Sequence, residues 1–258
     1  MLKGHEFKET YLRPSQVKID YSYQRQVNEK KIAHILNTWN YDLVNMPKIS
    51  QRIDGSYYAF DGQATLTAWK RHENDAPIKC KVYTGLSKDE EVELFLQQFG
   101  GSTPVSATEK AKARYNRKGE SDLDVVGTVD TARLAGVTIS FYPTQAKNST
   151  NAVEACIRGY KRLGAQKFSE ALSVLKDAWD GDHNAFGKSF INGIVELFSS
   201  NYGEIDRARL VRALAKNSPG YYVQRAKDIR GNAAKNYALV FAMAYNATKH
   251  SQKLNYTT

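Results

Sequence analysis

A change of hydrophobic period at Gly100-Gly101-Ser102-Thr103-Pro104 divides the sequence into two parts with different architectures. Before it, short alternating runs are interleaved with helical ones. Val17, Ile19 and Tyr21 alternate with polar residues and predict a short strand. Asn28 is placed to cap a helix running to about Asn40, with Ile32, Ile35, Leu36 and Trp39 on one face. Two more strands are predicted at 46–52 and 57–60, joined at Asp54-Gly55, a strong hairpin-turn pair. Asp61-Gly62-Gln63 leads directly into a helix over 64–73. Ile78 to Tyr83 alternates as a third core strand, and Ser87-Lys88-Asp89-Glu90 is a capping box opening another helix. Beyond the joint the period is helical almost throughout. Ser106-Ala107-Thr108-Glu109 is a second capping box, and helices are predicted near 151–163, 168–179, 185–200, 204–216, 219–230 and 233–249. The stretch 137–148 reads as a short hairpin or a loop. The expected fold class is α+β, with a small α/β domain over 1–104 and a mostly α-helical, basic domain over 105–258.

The formal charge of +10 follows the same division. Residues 1–100 carry 14 Lys and Arg against 13 Asp and Glu, and the remainder carries 23 against 14. A basic helical half suits a nucleic-acid surface, although Lys-rich solvated helix faces have the same composition. The cations fall into four groups, each interleaved with or adjacent to helical apolar residues. The first contains Arg114, Arg117 and Lys118, the second Arg158, Lys161 and Arg162, and the third Arg207, Arg209 and Arg212. The fourth and densest joins Tyr221 and Tyr222 to Arg225, Lys227 and Arg230. Cations neutralise phosphates and tyrosines stack on bases. The expected nucleic-acid contacts are therefore Arg114, Arg117, Lys118, Arg225, Lys227 and Arg230. No single helix carries an unmistakable recognition pattern, so composition alone does not establish sequence-specific reading.

Several function classes drop out. No apolar stretch approaches roughly eighteen residues, so no membrane span is expected. The opening MLKGHEFKETYLRP has no apolar run, so a secretory signal is not expected and a cytoplasmic setting is. Cys80 and Cys156 are too few for a disulfide framework or a four-cysteine zinc site. The five histidines lack metal-ligand spacing. Gly181 to Ser189 resembles a P-loop but has five residues between its glycines and follows a helix, so it reads as a loop. The acidic run Asp89-Glu90-Glu91 with Glu93 reads as the solvated first turn of a helix, complementing its dipole.

One junction carries chemistry. A strand ends at Asp61-Gly62 and a helix begins within three residues. First-turn backbone N–H groups attract anions, and glycine permits close approach. Arg25, in Tyr23-Gln24-Arg25, is a cationic partner for the same anion. A bare turn at Asp61-Gly62, with Thr65 as a local cap, accounts for the same residues.

The order of elements adds a resemblance. It runs from Tyr23-Gln24-Arg25 and its helix through Met46-Pro47-Lys48-Ile49-Ser50, Asp54-Gly55-Ser56-Tyr57, Asp61-Gly62-Gln63 with Ala68, to Ile78-Lys79-Cys80-Lys81-Val82-Tyr83. This resembles the ParB/sulfiredoxin superfamily over roughly residues 10–105. It is closest to ParB-like nuclease-domain proteins of phage and mobile elements that carry an Asp-Gly-Gln-His motif. Ser106 to Tyr115, Ala244-Tyr245-Asn246 and Lys253-Leu254 are similar to the helical region of that branch. The resemblance implies a ParB/sulfiredoxin-like α/β domain that binds a nucleotide (ATP or CTP, with Mg2+) or a nucleic-acid phosphate at the strand–helix turn. The partner it implies is nucleic acid, above all DNA; self-association is left open.

The sequence departs from that pattern at one point. Relatives place His-Arg, Arg-Arg or His-Thr where this chain has Ala64-Thr65. An arginine there would grip phosphate and a histidine would move protons, and alanine does neither. Natural loss of catalysis and an introduced substitution both fit Ala64. Sulfiredoxin chemistry is absent because no cysteine stands near Gln63. The catalytic positions are thus Asp61, Gln63 and Ala64, and the phosphate-binding ones Arg25, Gly62, Gln63 and Thr65. The leading expectation is a DNA-associated binding protein. The alternatives are an active metal-dependent nuclease or NTPase using Asp61 and Arg25, and a non-catalytic protein–protein module with a vestigial site.

Overall fold

In the computed structural model, residues 5–97, 106–248 and 252–255 are described, and the chain divides into two units, Met1–Arg117 and Lys118–Thr258. The expected joint at 100–104 lies outside the described residues. Helix Ala107–Arg117 belongs to the first unit, so Lys110, Lys112, Arg114, Arg117 and Glu109 count with it. The formal charges become +4 for the first unit and +6 for the second.

The first unit is a mixed α/β structure built on five strands: β1 (Phe7–Leu12), β2 (Val17–Lys18), β3 (Lys48–Gln51), β4 (Tyr57–Asp61) and β5 (Ile78–Thr84). Their order is β1-β5-β3-β4-β2. β3 and β4 form the antiparallel hairpin expected from Asp54-Gly55, and Gly55 takes φ +79° in the turn. β3 lies parallel to β5, which requires the crossover through helix α2 (Gln63–His72), with α1 (Glu29–Asn37) packed beside it. Alternation explains the core. Leu12, Ile49, Ala59, Ile78, Cys80 and Val82 are buried together with Leu66 of α2. Asn28 caps α1 by accepting from the Lys31 amide at 3.2 Å. β1 is an element the periodicity did not mark, because Phe7 and Tyr11 remain exposed and only Leu12 is buried. It is specified by its antiparallel partner β5 rather than by its own pattern.

A second cluster joins Tyr23, Val92 and Phe95 of α3 (Lys88–Leu96), and Ala113 of α4 (Ala107–Arg117). Both capping boxes form: Ser87 with Glu90, and Ser106 with Glu109. The expectation that the acidic run is solvated fails at Glu91, which is fully buried. Its carboxylate receives a two-pronged bond from Arg52, Nε at 2.9 Å and Nη2 at 2.6 Å, and a third from the Tyr23 hydroxyl at 3.3 Å. The same Arg52 bonds Asp20 at 2.9 Å and stacks over the Tyr58 ring at 3.6 Å. A buried charge persists because it is paired and fully hydrogen-bonded.

The second unit is helical: α5 (Leu123–Leu134), α6 (Val153–Ala178, interrupted at Gly164), α7 (Lys188–Asn201), α8 (Arg207–Leu214), α9 (Pro219–Lys227) and α10 (Ala233–Asn246). Phe168, Leu172, Leu175, Ile191, Leu197 and Phe241 are fully buried in its core. No element was predicted for α5, whose Val, Thr and Gly residues are weak helix formers; its buried Val125, Thr128, Val129 and Ala132 hold it in place. The 137–148 stretch is not a hairpin: β6 (Thr138–Ile139) pairs parallel with β7 (Ser149–Thr150) across an irregular connection. Residues 181–187 connect α6 to α7 through one short 3-10 turn, and Lys188 and Ser189 open α7.

Two predictions follow from the buried ion cluster. Glu91→Ala strands Arg52, and should cost the first unit about 3 kcal/mol, whereas Lys88→Ala, at an exposed side chain, should cost under about 1 kcal/mol. Urea unfolding read by Trp39 and Trp69 fluorescence in a Trp179→Phe background measures both. The second concerns pH. Burial disfavours the Asp20 charge, but bonds from Ser22, Arg52 and Lys88 outweigh it and hold this carboxyl well below the usual range. Its stabilisation is present above the unfolded-state value of about 3.9 and is lost as pH falls below it. Asp20→Asn should therefore flatten the acid limb of a stability-against-pH curve.

Candidate phosphate-binding site

The register of three adjacent strands sets charged side chains in a row. Lys48 of β3 is opposite Lys81 of β5 on one side and Asp61 of β4 on the other. Lys48 Nζ meets Asp61 Oδ2 at 3.0 Å, and Lys81 Nζ lies 4.8 Å from the Phe7 ring centre. Directly after Asp61 the chain turns through Gly62 at φ +88° and enters α2. A Cβ at position 62 would lie 2.8 Å from Pro47 Cα, so only glycine permits this approach of the turn to β3. Gly62 is the N-cap residue and offers no side-chain acceptor. The amides of Gln63, Ala64 and Thr65 thus form the open positive end of a ten-residue helix.

These groups line a cavity of about 930 Å³ together with Arg25, Lys31 and His34. Among the described lining residues the permanent cations are Arg25, Lys31, Lys48 and Lys81, and the carboxylate is Asp61. The side-chain Nε2 of Gln63 is buried and has no hydrogen-bond partner among the described residues. The lining also includes the apolar Ile35, Trp39, Leu43, Val44 and Met46. Trp39 is held by stacking on His72 at 4.0 Å between ring centres. The lining therefore offers cations for an anion and apolar side chains for a flat or apolar group.

Arg25 reaches the cavity from the segment 20–25, which is fastened at several points. Asp20 bonds Arg52, Tyr23 is buried, and the Gln24 side chain donates to the Ala59 carbonyl. From α4, Lys112 Nζ donates to the Tyr21 carbonyl at 2.8 Å, and the Asn116 side chain donates to that of Ser22. The guanidinium itself lies 3.5 Å from Glu109.

The structure thus brings Arg25, Asp61, Gly62, Gln63, Ala64 and Thr65 onto one cavity. Sequence reasoning missed Lys31, Lys48 and Lys81. Alternation in β5 places Lys81 and Lys79 opposite the buried Ile78, Cys80 and Val82, and that was the available signal. Among the described residues, no three His, Cys, Asp or Glu side chains gather where they could hold a metal ion.

The basic groups of the back half do not converge. Arg114 and Arg117 lie in the first unit, where Arg117 bonds Glu93 at 3.0 Å and is largely covered. Lys118 is exposed at the start of the second unit. Lys161 pairs with Asp124 at 2.6 Å, Arg162 with Glu196, and Arg207 with Asp177. Arg209 is buried over the Tyr245 ring and bonds Thr248 at 2.6 Å. Arg225, Lys227 and Arg230 are exposed and pair with no carboxylate among the described residues. No helix among the described residues is long and apolar enough to cross a membrane.

A family model described as "Family of unknown function (DUF6551)" matches residues 19–257, across both units. No curated protein matches the chain.

The Gly62 approach is testable against a second turn glycine. Gly62→Ala combines left-handed strain, about 1–3 kcal/mol, with the Pro47 overlap. Gly55→Ala meets nothing within 4 Å and carries the strain alone. The urea midpoints, converted to free energy at equal slope, should favour Gly55→Ala by at least about 1.4 kcal/mol, a tenfold change in equilibrium.

Proposed function

The chain belongs to the DUF6551 family, whose description assigns no activity, and we propose that its first unit binds a nucleotide or a nucleic-acid phosphate at the turn 61–65 while its second unit docks on nucleic acid. The observation that carries this reading is the convergence of Arg25, Lys48, Lys81 and the open start of α2 on one cavity. Helix-start amides and cations together stabilise a phosphate. The apolar Ile35 and Trp39 suit a base, and the cavity volume falls within the usual range for small ligands. The resemblance of the sequence elements over residues 10–105 to ParB-like domains supports the same assignment.

Phosphate at the turn would draw Lys48 from Asp61 and Arg25 from Glu109, exchanging one anionic partner for another. Gln63 would donate its unpartnered Nε2 to the ligand. Asp61, the one carboxylate among the described lining residues and ion-paired to Lys48, does not form a metal site alone; a magnesium ion would be held mainly by the ligand's own phosphates. Ala64 carries no group that moves a proton, so the reading is one of binding rather than turnover. On the second unit, the exposed Arg225, Lys227 and Arg230 supply phosphate contacts.

Calorimetric titration of the full chain with ATP, CTP and inorganic phosphate in low salt tests the site. Saturable nucleotide binding is expected. Lys48→Ala and Arg25→Ala should each weaken it by roughly 10-fold or more, the worth of one charge-assisted hydrogen bond. Absence of nucleotide binding, or unchanged affinity in both variants, would overturn the assignment.

A further inference from the structure

α8 and α9 are consecutive helices joined by only four residues, 215–218. Ser218 precedes Pro219 at the first position of α9, which fixes a sharp start. The Tyr222 hydroxyl donates to the carbonyls of Leu214 at 3.1 Å and Ala213 at 3.4 Å, tying the inner face of α9 to the end of α8. Both helices pack on α10. There Asn236 donates to the carbonyls of Ile229 at 2.7 Å and Ala226 at 3.3 Å, holding the end of α9. The buried side of α9 is thus Pro219, Tyr222 and Ala226.

The other side is open. Tyr221, Gln224 and Arg225 are exposed at spacings of three and four, which places them on one stripe. From Arg207 to Lys235 the sequence holds eight Lys and Arg and one acid, Asp228. Of these, Arg212 on α8, Lys216 in the connection, Lys227 at the end of α9 and Arg230 beyond it are exposed and pair with no carboxylate among the described residues. Two short helices with a four-residue turn, locked behind and cationic in front, match the dimensions with which a helix enters the major groove. The side chains suit reading there: Gln pairs with adenine and Arg with guanine through two hydrogen bonds, and flanking cations meet the phosphates.

We infer that α9 is a sequence-reading helix that enters the major groove of duplex DNA, with Gln224 and Arg225 on base edges and Arg212, Lys216 and Lys227 on phosphates. This rests on the reading that the second unit docks on nucleic acid, and it names the partner as a duplex with a preferred sequence.

The test is selection of binding sites by the full chain from a random duplex library, followed by affinity measurements at several salt concentrations. A recovered motif is expected. Arg225→Ala and Gln224→Ala should each weaken the selected site by roughly 5- to 150-fold and relax the preference at one position. Lys227→Ala should weaken selected and random duplexes alike and shallow the salt dependence. Thermal unfolding of each variant should match the parent, since the three positions are exposed. Salt-dependent binding to random duplex with no recovered motif would overturn the inference while leaving nucleic-acid docking in place. Tighter binding to single strands than to duplex would also overturn it. No binding to any nucleic acid would remove both.

Discussion

The two-pronged bond from Arg52 to the buried carboxylate of Glu91 is the contact on which the first unit's geometry depends. Arg52 leaves the sheet immediately after β3, Glu91 lies on α3, and the same guanidinium holds Asp20 at the start of the segment that carries Arg25. One arginine therefore fastens the sheet, a helix and the segment beside the cavity. Tyr23 adds its hydroxyl to Glu91 and its ring to Phe95, 5.5 Å away between centres. A buried pair of this kind costs desolvation and contributes little net stability compared with apolar packing. Its effect here is positional, because misplacing either partner leaves an uncompensated charge.

The cavity follows from that frame and from strand register. Lys81, Lys48 and Asp61 stand in neighbouring strands at matching positions, and a one-residue slip would send each to the opposite face of the sheet. Gly62 then brings the start of α2 against Pro47. The result sets Lys48, Lys81 and the start of α2 around one cavity. Such a site binds anions, while acid–base turnover would need a titratable group where Ala64 stands.

Local signals made much of this legible. The Asp54-Gly55 turn, the Asn28 cap, the two capping boxes and the alternation in 78–83 each specify their element within a few residues, and the structure has all of them. The Asp61-Gly62 junction was readable for the same reason. What the sequence hid is non-local. Glu91 sits in a run that looks solvated, and only Arg52, 39 positions away, explains its burial. Lys48 and Lys81 become neighbours through a parallel pairing that needs a whole crossover between them. The back-half cations read as one surface by composition, yet Arg162, Lys161 and Arg207 pair with acids on other elements, and α4 counts with the first unit. The α8–α9 pair was visible only as two amphipathic stretches, because its four-residue turn depends on helix ends that periodicity places poorly.

The central claim is that the start of α2 receives a phosphate, and amide chemical shifts report on it directly. In a 1H–15N titration of the full chain with a nucleoside triphosphate, the amides of Gln63, Ala64 and Thr65 should move first and furthest. Inorganic phosphate should shift the same amides and leave the indole N–H of Trp39 in place. Shifts confined to other regions, with positions 63–65 unmoved at saturating nucleotide, would contradict the account.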